Sequence, residues 1–153
     1  MREDSQDIAS LQKRILAFVI DDIVIATLII IIFYDKLMVI SEELAKSSAS
    51  LEAQKAILDA FVMDSLPIFI ALKVLYHGIL VWQSGMTLGK YIAKIRVVDE
   101  GSYSKVSLWQ SLWRASVRIF SEVLFYVGFL FAFVSAKRQT LHDKLSNCVV
   151  VNV

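Results

Sequence analysis

The sequence predicts an all-α membrane protein with two transmembrane helices, a third hydrophobic segment that spans or re-enters the bilayer, and a small cytoplasmic β element. Three observations carry that prediction. Residues 15–34 form an apolar run interrupted mainly by Asp21 and Asp22, and roughly twenty residues is the length a helix needs to cross the hydrocarbon core. Further apolar runs cover about 65–82 and 108–136. Apolar residues make up 57% of the chain and the mean hydropathy is +0.62, above the range of ordinary soluble domains. The 153 residues suit one domain. A net charge of +1 gives no case for nucleic-acid binding. The single cysteine, Cys148, excludes an intramolecular disulfide and cannot build a Cys-rich metal site alone. No cofactor or metal site is expected.

The elements follow in order. A polar N-terminal tail ends in Lys13-Arg14 at the edge of the first span. That span is too long for a signal-peptide core, carries two acids and ends at Tyr34-Asp35 without a small-residue cleavage site, so it is expected to stay in the mature protein. Residues 35–60 are polar, with Ser41 to Leu44 and Leu51 to Leu58 at helical spacing, and read as a surface helix outside the membrane. The second span starts where Ser65 can cap it and Pro67 is tolerated in the first turn, and Trp82 suits the interface at its end. A basic stretch from Gly85 to Arg96 leads into a short strand, Ile95 to Val98, and a turn at Asp99-Glu100-Gly101. A helix begins near Leu108, and the chain closes on a β-like end, Cys148 to Val151.

Orientation is set by lysine and arginine in short loops. Lys13 and Arg14 precede the first span, and Lys90, Lys94, Arg96, Lys105 and Arg114 follow the second. In the 35–60 loop three lysines are outnumbered by five acids. The N-terminus and the 83–117 region are therefore expected in the cytoplasm, with 35–60 outside. A third full span would carry Lys137, Arg138 and Lys144 outside, and the uninterrupted apolar stretch after Glu122 is short for a crossing. The favoured alternative is a re-entrant hairpin that returns the tail to the cytoplasm, where its valines can pair with the Ile95–Val98 strand. Cys148, as the only thiol, then serves as a reporter of sidedness.

The polar residues inside these runs are the candidate site. A carboxylate at mid-membrane costs about 2.5–3.5 kcal/mol on insertion scales, and each Ile, Leu, Val or Phe returns only about 0.3–0.6 kcal/mol. The fourteen such residues of the first span roughly balance Asp21 and Asp22. Arg14 and Asp21, seven apart, share a face, while Asp22 is rotated about 100° away and must serve a different contact. Lys73, His77 and Ser84 form a stripe in the second span with Tyr76 beside it. In antiparallel spans an Asp22–Lys73 pair is geometrically plausible; the alternative for Lys73 is snorkelling to the surface. A histidine alone on a helix, as His77 is, is more often a hydrogen-bonded structural residue than a metal ligand. Gln110, Arg114, Arg118 and Glu122 recur every four residues, opposite Trp109, Leu112, Trp113 and Phe120. That face fits either an interfacial helix or a polar interior shared with Asp21.

Three motifs resemble the RDD family, small membrane proteins named for one arginine and two aspartates. Arg14, Ala17 and Ile20-Asp21 are similar to its opening motif. Gly85-Met86-Thr87-Leu88-Gly89-Lys90 with Arg96-Val97-Val98-Asp99 resembles its signature after the second helix. Arg138-Gln139-Thr140-Leu141-His142-Asp143-Lys144, leading to Val149-Val150, resembles its C-terminal motif. The resemblance makes Arg14 the family arginine and Asp21 and Asp143 its aspartates, and groups Gly85, Thr87, Gly89, Lys90, Arg114, His142 and Asp143 in a cytoplasmic motif site. Met86 stands where glutamine is common, and Asn147-Cys148 where glycine-threonine is usual. At most the resemblance implies transport, including cation/proton exchange, in the inner membrane of a bacterial cell.

Other motifs fail. Gly85 to Lys90 lacks the spacing and the Ser/Thr of a phosphate loop, Gly85 and Gly89 are a weak helix-dimer signal at the membrane edge, and His142-Asp143 has no nucleophile at a recognisable spacing. An enzyme is not expected. Two readings remain. In a carrier, a proton or cation is the ligand of Asp21 or Asp22, reachable by water, and homo-oligomers are needed because so few helices cannot enclose a path in the bilayer. In a membrane scaffold, Arg14, Asp21 and Asp143 are buried and paired.

Overall fold

The computed structural model describes residues 7–46, 50–123 and 127–153. In chain order the elements are α1 (Leu11–Ile32), α2 (Tyr34–Lys46), α3 (Leu51–Ser84), α4 (Leu88–Ile92), β1 (Ile95–Asp99), α5 (Leu108–Val123), α6 (Val127–Val134), α7 (Leu141–Leu145) and β2 (Cys148–Asn152). The chain is mostly helical with one small two-stranded sheet. It folds as two compact units, residues 23–72 and the segments on either side of them.

α1 is the one helix among the described residues that is long and apolar enough to cross a membrane by itself. Its 22 residues rise about 33 Å, against about 30 Å of hydrocarbon. The region expected as a surface helix followed by a separate second span is different. α3 runs unbroken from Leu51 to Ser84, so Ser65 and Pro67 lie inside a helix and Ser65 does not cap one. Proline removes one backbone donor, but the helix-forming residues from Leu51 to Met63 continue the pattern through it. Within the unit of residues 23–72, Phe33 meets Phe61 edge-on at 5.8 Å, and Lys36 reaches Asp64 at 3.2 Å on an exposed surface.

The other unit is organised around the sheet. β1 and β2 are antiparallel, in register from Ile95 opposite Asn152 to Asp99 opposite Cys148. Ile8 bridges Val151 on the free side of β2, where Ala9 N–H donates to Val150 O at 3.0 Å. Ala9, Ala17, Val81, Ile95, Val97, Cys148 and Val150 form the buried core. The sheet therefore ties the entry to α1, the chain after α3 and the end of the chain to one place. The apolar 108–136 segment is divided into α5 and α6, whose 16 and 8 residues rise only about 24 Å and 12 Å. α6 packs against α5 and α7. Residues 124–126, between α5 and α6, lie outside the described residues.

α5 is inverted relative to a helix at a water interface. Ser111, Arg114, Arg118 and Ser121 are buried, whereas Trp109, Trp113, Phe120 and Val123 are exposed. Polar groups turned inward and large apolar groups outward is the pattern of a helix bathed in lipid. Cys148 is fully buried, its thiol pointing at Ser146 O, so it is unsuited to report sidedness in the folded protein.

Candidate functional site

Three carboxylate centres lie in this unit, and the structure divides the predicted residues among them differently from the sequence reading. The first is Asp21, which is fully buried. Its Oδ1 accepts from Tyr76 OH at 2.8 Å and from Gly89 N–H at 2.9 Å. Its Oδ2 accepts from Thr87 Oγ1 at 2.6 Å and faces Lys90 Nζ at 3.7 Å. Burying a carboxylate is tolerable only when donors satisfy it this fully. The glycine is required by proximity: a Cβ on Gly89 would lie 2.1 Å from Ala17 O, a backbone atom of α1. Thr87 caps α4, its Oγ1 also accepting from Lys90 N–H at 3.4 Å. Burial draws the Lys90 ammonium down to a pKa of about 7, against the attraction of Asp21.

The second centre is Asp143. It is the N3 residue of a capping box on α7, where Thr140 N–H donates to its Oδ2 at 3.3 Å and its own N–H donates to Thr140 Oγ1 at 3.4 Å. Two guanidinium groups converge on it. Arg114 Nε donates to Oδ1 at 2.8 Å and Arg14 Nη1 to Oδ2 at 3.0 Å. Burial alone raises this carboxyl's pKa, but the surrounding positive charge, Arg114 foremost, holds it far below the usual carboxylate range. Arg14 also donates to Val150 O at 3.2 Å and Ala9 O at 3.4 Å, linking α1, α7 and the sheet edge. The expected pairing of Arg14 with Asp21 is thus replaced by Arg14 with Asp143. Sharing a helix face at about 10 Å left both side chains free to turn to nearer partners.

The third centre joins Asp22, Lys73, His77, Arg118 and Glu122. Glu122 bridges Lys73 at 2.5 Å and Arg118 at 3.0 Å. Asp22 Oδ1 stands 3.8 Å from Lys73 Nζ and 3.9 Å from Arg118 Nη2, too far for a hydrogen bond to either. The anticipated Asp22–Lys73 proximity is present, and Lys73 is buried rather than snorkelled. Arg118 shares a contact with His77 Nδ1 at 3.3 Å. A guanidinium only donates, so Nδ1 accepts and the imidazole proton sits on Nε2. Asp22 Oδ1, His77 Nε2 and Arg118 Nη2 are buried atoms with no hydrogen-bond partner among the described residues. Asp22 as a side chain is 32% exposed, unlike Asp21 and Asp143.

Sequence reasoning gave no role to several side chains that build these centres. Tyr76 donates to Asp21, and Phe18 and Phe129 flank the Arg118 guanidinium at 5.1 and 5.9 Å from their ring centres. The signal for Tyr76 was available: a phenol in an apolar helix must place its O–H on an acceptor. Gly85, with φ +76°, and Gln110, which clamps Asp99 and Ser146 O, shape the loops and not the centres.

The profile of the RDD family matches residues 8–147, nearly the whole chain. The chain belongs to the RDD family. Membership, with α1, marks it as a membrane protein. It is 30% identical over 142 residues to the "Uncharacterized protein YxaI" of Bacillus subtilis, covering 90% of this chain and 93% of that one. It is 35% identical over 69 residues to a "Proline-rich antigen homolog" of Mycobacterium tuberculosis, covering 45% of this chain and 29% of that relative. The "Proline-rich antigen" of Mycobacterium leprae matches at 30% over 70 residues. The chain thus spans under a third of the length of these mycobacterial relatives. No solved structure matches it. The three motif residues that name the family, Arg14, Asp21 and Asp143, fall in the two saturated centres; the third centre lies outside the signature.

Proposed function

We propose that this RDD-family protein is a small multi-pass carrier that exchanges protons or monovalent cations, with Asp22 as the exchanging carboxylate. One observation carries the reading: Asp22 is a partly exposed acid in an apolar helix with one oxygen unbonded, beside two cations already held by Glu122. Two acids and two bases leave the cluster neutral, so binding a proton or cation at Asp22 makes it net positive and loosens Lys73 and Arg118. That gives occupancy a structural consequence. Asp21 and Asp143 hold the scaffold around this centre, and no enzyme chemistry is assigned to them. α3 supplies a second crossing, α5 and α6 re-enter, and copies of the chain complete the path. The lysine and arginine distribution supports an N-terminus in the cytoplasm, and the reading sets the protein in the bacterial inner membrane.

The test is flux in proteoliposomes with an internal pH indicator. The parent protein should dissipate a proton gradient on addition of a monovalent cation. Asp22→Asn should insert and remain monodisperse yet lose the exchange. A parent without proton or cation flux, or an Asp22→Asn variant with full flux, overturns the reading. Orientation is tested separately with Val153→Cys, an exposed position at the other end of β2 from the buried native thiol. An impermeant maleimide should label it only after cells are permeabilised.

A second reading, a non-catalytic scaffold, is supported by the saturation of Asp21 and Asp143. The same assay separates the two, because a scaffold conducts nothing whether or not Asp22 is intact.

A further inference from the structure

Arg118 of the third centre is held by two kinds of contact. Along the edge of its guanidinium, Nε donates to Glu122 Oε1 at 3.0 Å, Nη1 donates to His77 Nδ1 at 3.3 Å, and Nη2 faces Asp22 Oδ1 at 3.9 Å without a hydrogen bond. Its central carbon also lies 5.1 Å from the Phe18 ring centre and 5.9 Å from that of Phe129. The two ring centres are only 5.3 Å apart and the rings meet at 70°. Both rings therefore stand on one side of the guanidinium and form a corner that receives it. A buried cation set against aromatic rings is attracted by them, more strongly than at an exposed site.

Phe18 and Asp22 are four residues apart on α1 and so neighbours on its surface. They compete for the same cation: Arg118 rests on the ring and stops beyond hydrogen-bond reach of the acid. A guanidinium stays charged in a protein, so what varies at this centre is where its charge sits. Drawn back onto the aromatic corner, it leaves Asp22 Oδ1 without a donor, which favours uptake of a proton. Moved onto Asp22, it makes a charge-assisted hydrogen bond that keeps the acid ionised. The other charges around Asp22 are held in place: Lys73 by Glu122 at 2.5 Å, and Asp21 by its own donors. We infer that Phe18 and Phe129 are positioning residues for Asp22, holding Arg118 off the acid and so setting the pH at which it takes up and releases its proton. The inference rests on the reading of Asp22 as the exchanging carboxylate and adds what tunes it.

The test reads the charge of Asp22 directly, without transport. In infrared spectra of the full chain in phosphatidylcholine nanodiscs, the carbonyl band of protonated Asp22 is the one that Asp22→Asn removes, and its amplitude against pH gives a midpoint. Phe18→Leu and Phe129→Leu release Arg118 to close on Asp22, and each should move that midpoint down by about one pH unit, a tenfold change in proton affinity. Replacing Phe18 with 3,4,5-trifluorophenylalanine keeps the ring and withdraws charge from its face. A cavity of about 230 Å³ bordering both rings has room for the fluorines, and the midpoint should fall part of the way. This arm carries the test where a leucine variant does not fold, and a role in packing alone would not move it. The same fluorinated residue in place of Phe33, which packs on Phe61, should leave the midpoint where it is. A midpoint that the changes at Phe18 and Phe129 leave unmoved or raise, an equal shift from the Phe33 control, or the absence of a titrating Asp22 band overturns the inference. Proteoliposome flux separates its failure from that of the transport reading. Flux lost in Asp22→Asn with a midpoint indifferent to the rings keeps the carrier and removes the positioning; a shifted midpoint in a protein without flux keeps the positioning and removes the carrier.

Discussion

Asp21 and Asp22 are neighbours in sequence and opposites in environment. Asp21 is sealed and receives three hydrogen bonds and a nearby ammonium, whereas Asp22 is a third exposed with one buried oxygen unbonded. The 100° between successive helical residues sends one acid to α4 and the other to α5. Asp143 repeats the sealed design with two guanidinium groups and its own capping box. A carboxylate satisfied on all sides ties its donors together and rigidifies its surroundings; one left short of donors can be altered at less cost to them. That difference separates the carboxylates that hold this molecule together from the one that is left short of donors.

The comparison breaks first at Asp143. Asp143→Ala leaves two buried guanidinium groups without their shared partner, and removing one side of a buried ion pair costs about 3–5 kcal/mol. The variant should fail to accumulate, or unfold far below the parent in a detergent thermal melt. A melt shifted by only a degree or two would mean that Arg14 and Arg114 find other acceptors.

The same centre sets the acid response. The native Asp143 carboxyl lies well below its unfolded value of about 3.9. A depressed carboxyl contributes stability that is present above the unfolded pKa and lost as pH falls through the native one. Stability should therefore drop below about pH 4, and Asp143→Asn should be less stable at neutral pH yet flatter across this acid range. Equal slopes in the two proteins would assign the acid sensitivity to other groups. Asp99, clasped by Gln110 and Ser102 and lowered to about 2, is a half-buried contributor of the same sign.

A smaller but sharper effect belongs to Gly89. The Cβ of Gly89→Ala would meet the backbone oxygen of Ala17 at 2.1 Å, which α1 relieves only by moving away. Overpacking of this kind costs about 1–3 kcal/mol, and the shift also lengthens the Gly89 N–H bond to Asp21. By contrast, a Cβ on Gly101 has only an ordinary contact at 3.6 Å to an Asp99 oxygen, so Gly101→Ala is the mild control. Similar melts for the two variants would show that α4 is not held against α1.

Much of this arrangement was legible. The first span, the two strands and the start of α5 are set by local apolar runs and turn residues, and the family motifs named most members of both sealed centres, though not Tyr76. Apart from the Asp22–Lys73 proximity, the partners were not legible, because they depend on side-chain direction across 29 to 129 positions of sequence. Arg14 shares a face with Asp21 yet turns to Asp143, and no periodicity encodes that choice. The α3 start was misplaced because Pro67 is a frequent N-terminal residue and here sits in a helix interior. The inward face of α5 could be read as a stripe, but whether lipid or water bathes its other side follows only from which residues the fold buries.

The smallest expected effect tests the comparison most directly. Asp21→Asn and Asp22→Asn make the same chemical change one residue apart. In the first, an amide NH₂ replaces an acceptor within a set of donors, so Tyr76, Thr87 or Gly89 loses its partner and Lys90 loses its counter-charge; a cost of about 1–3 kcal/mol follows from the unsatisfied buried groups. In the second, Glu122 still holds Lys73 and Arg118, and a partly exposed carboxylate whose Oδ1 makes no hydrogen bond gives up little; the cost should stay below about 1 kcal/mol. Melts of the two variants in one detergent decide it. A less stable Asp22→Asn would show that Asp22 is the structural acid of the pair and would remove the physical basis for assigning it the exchange.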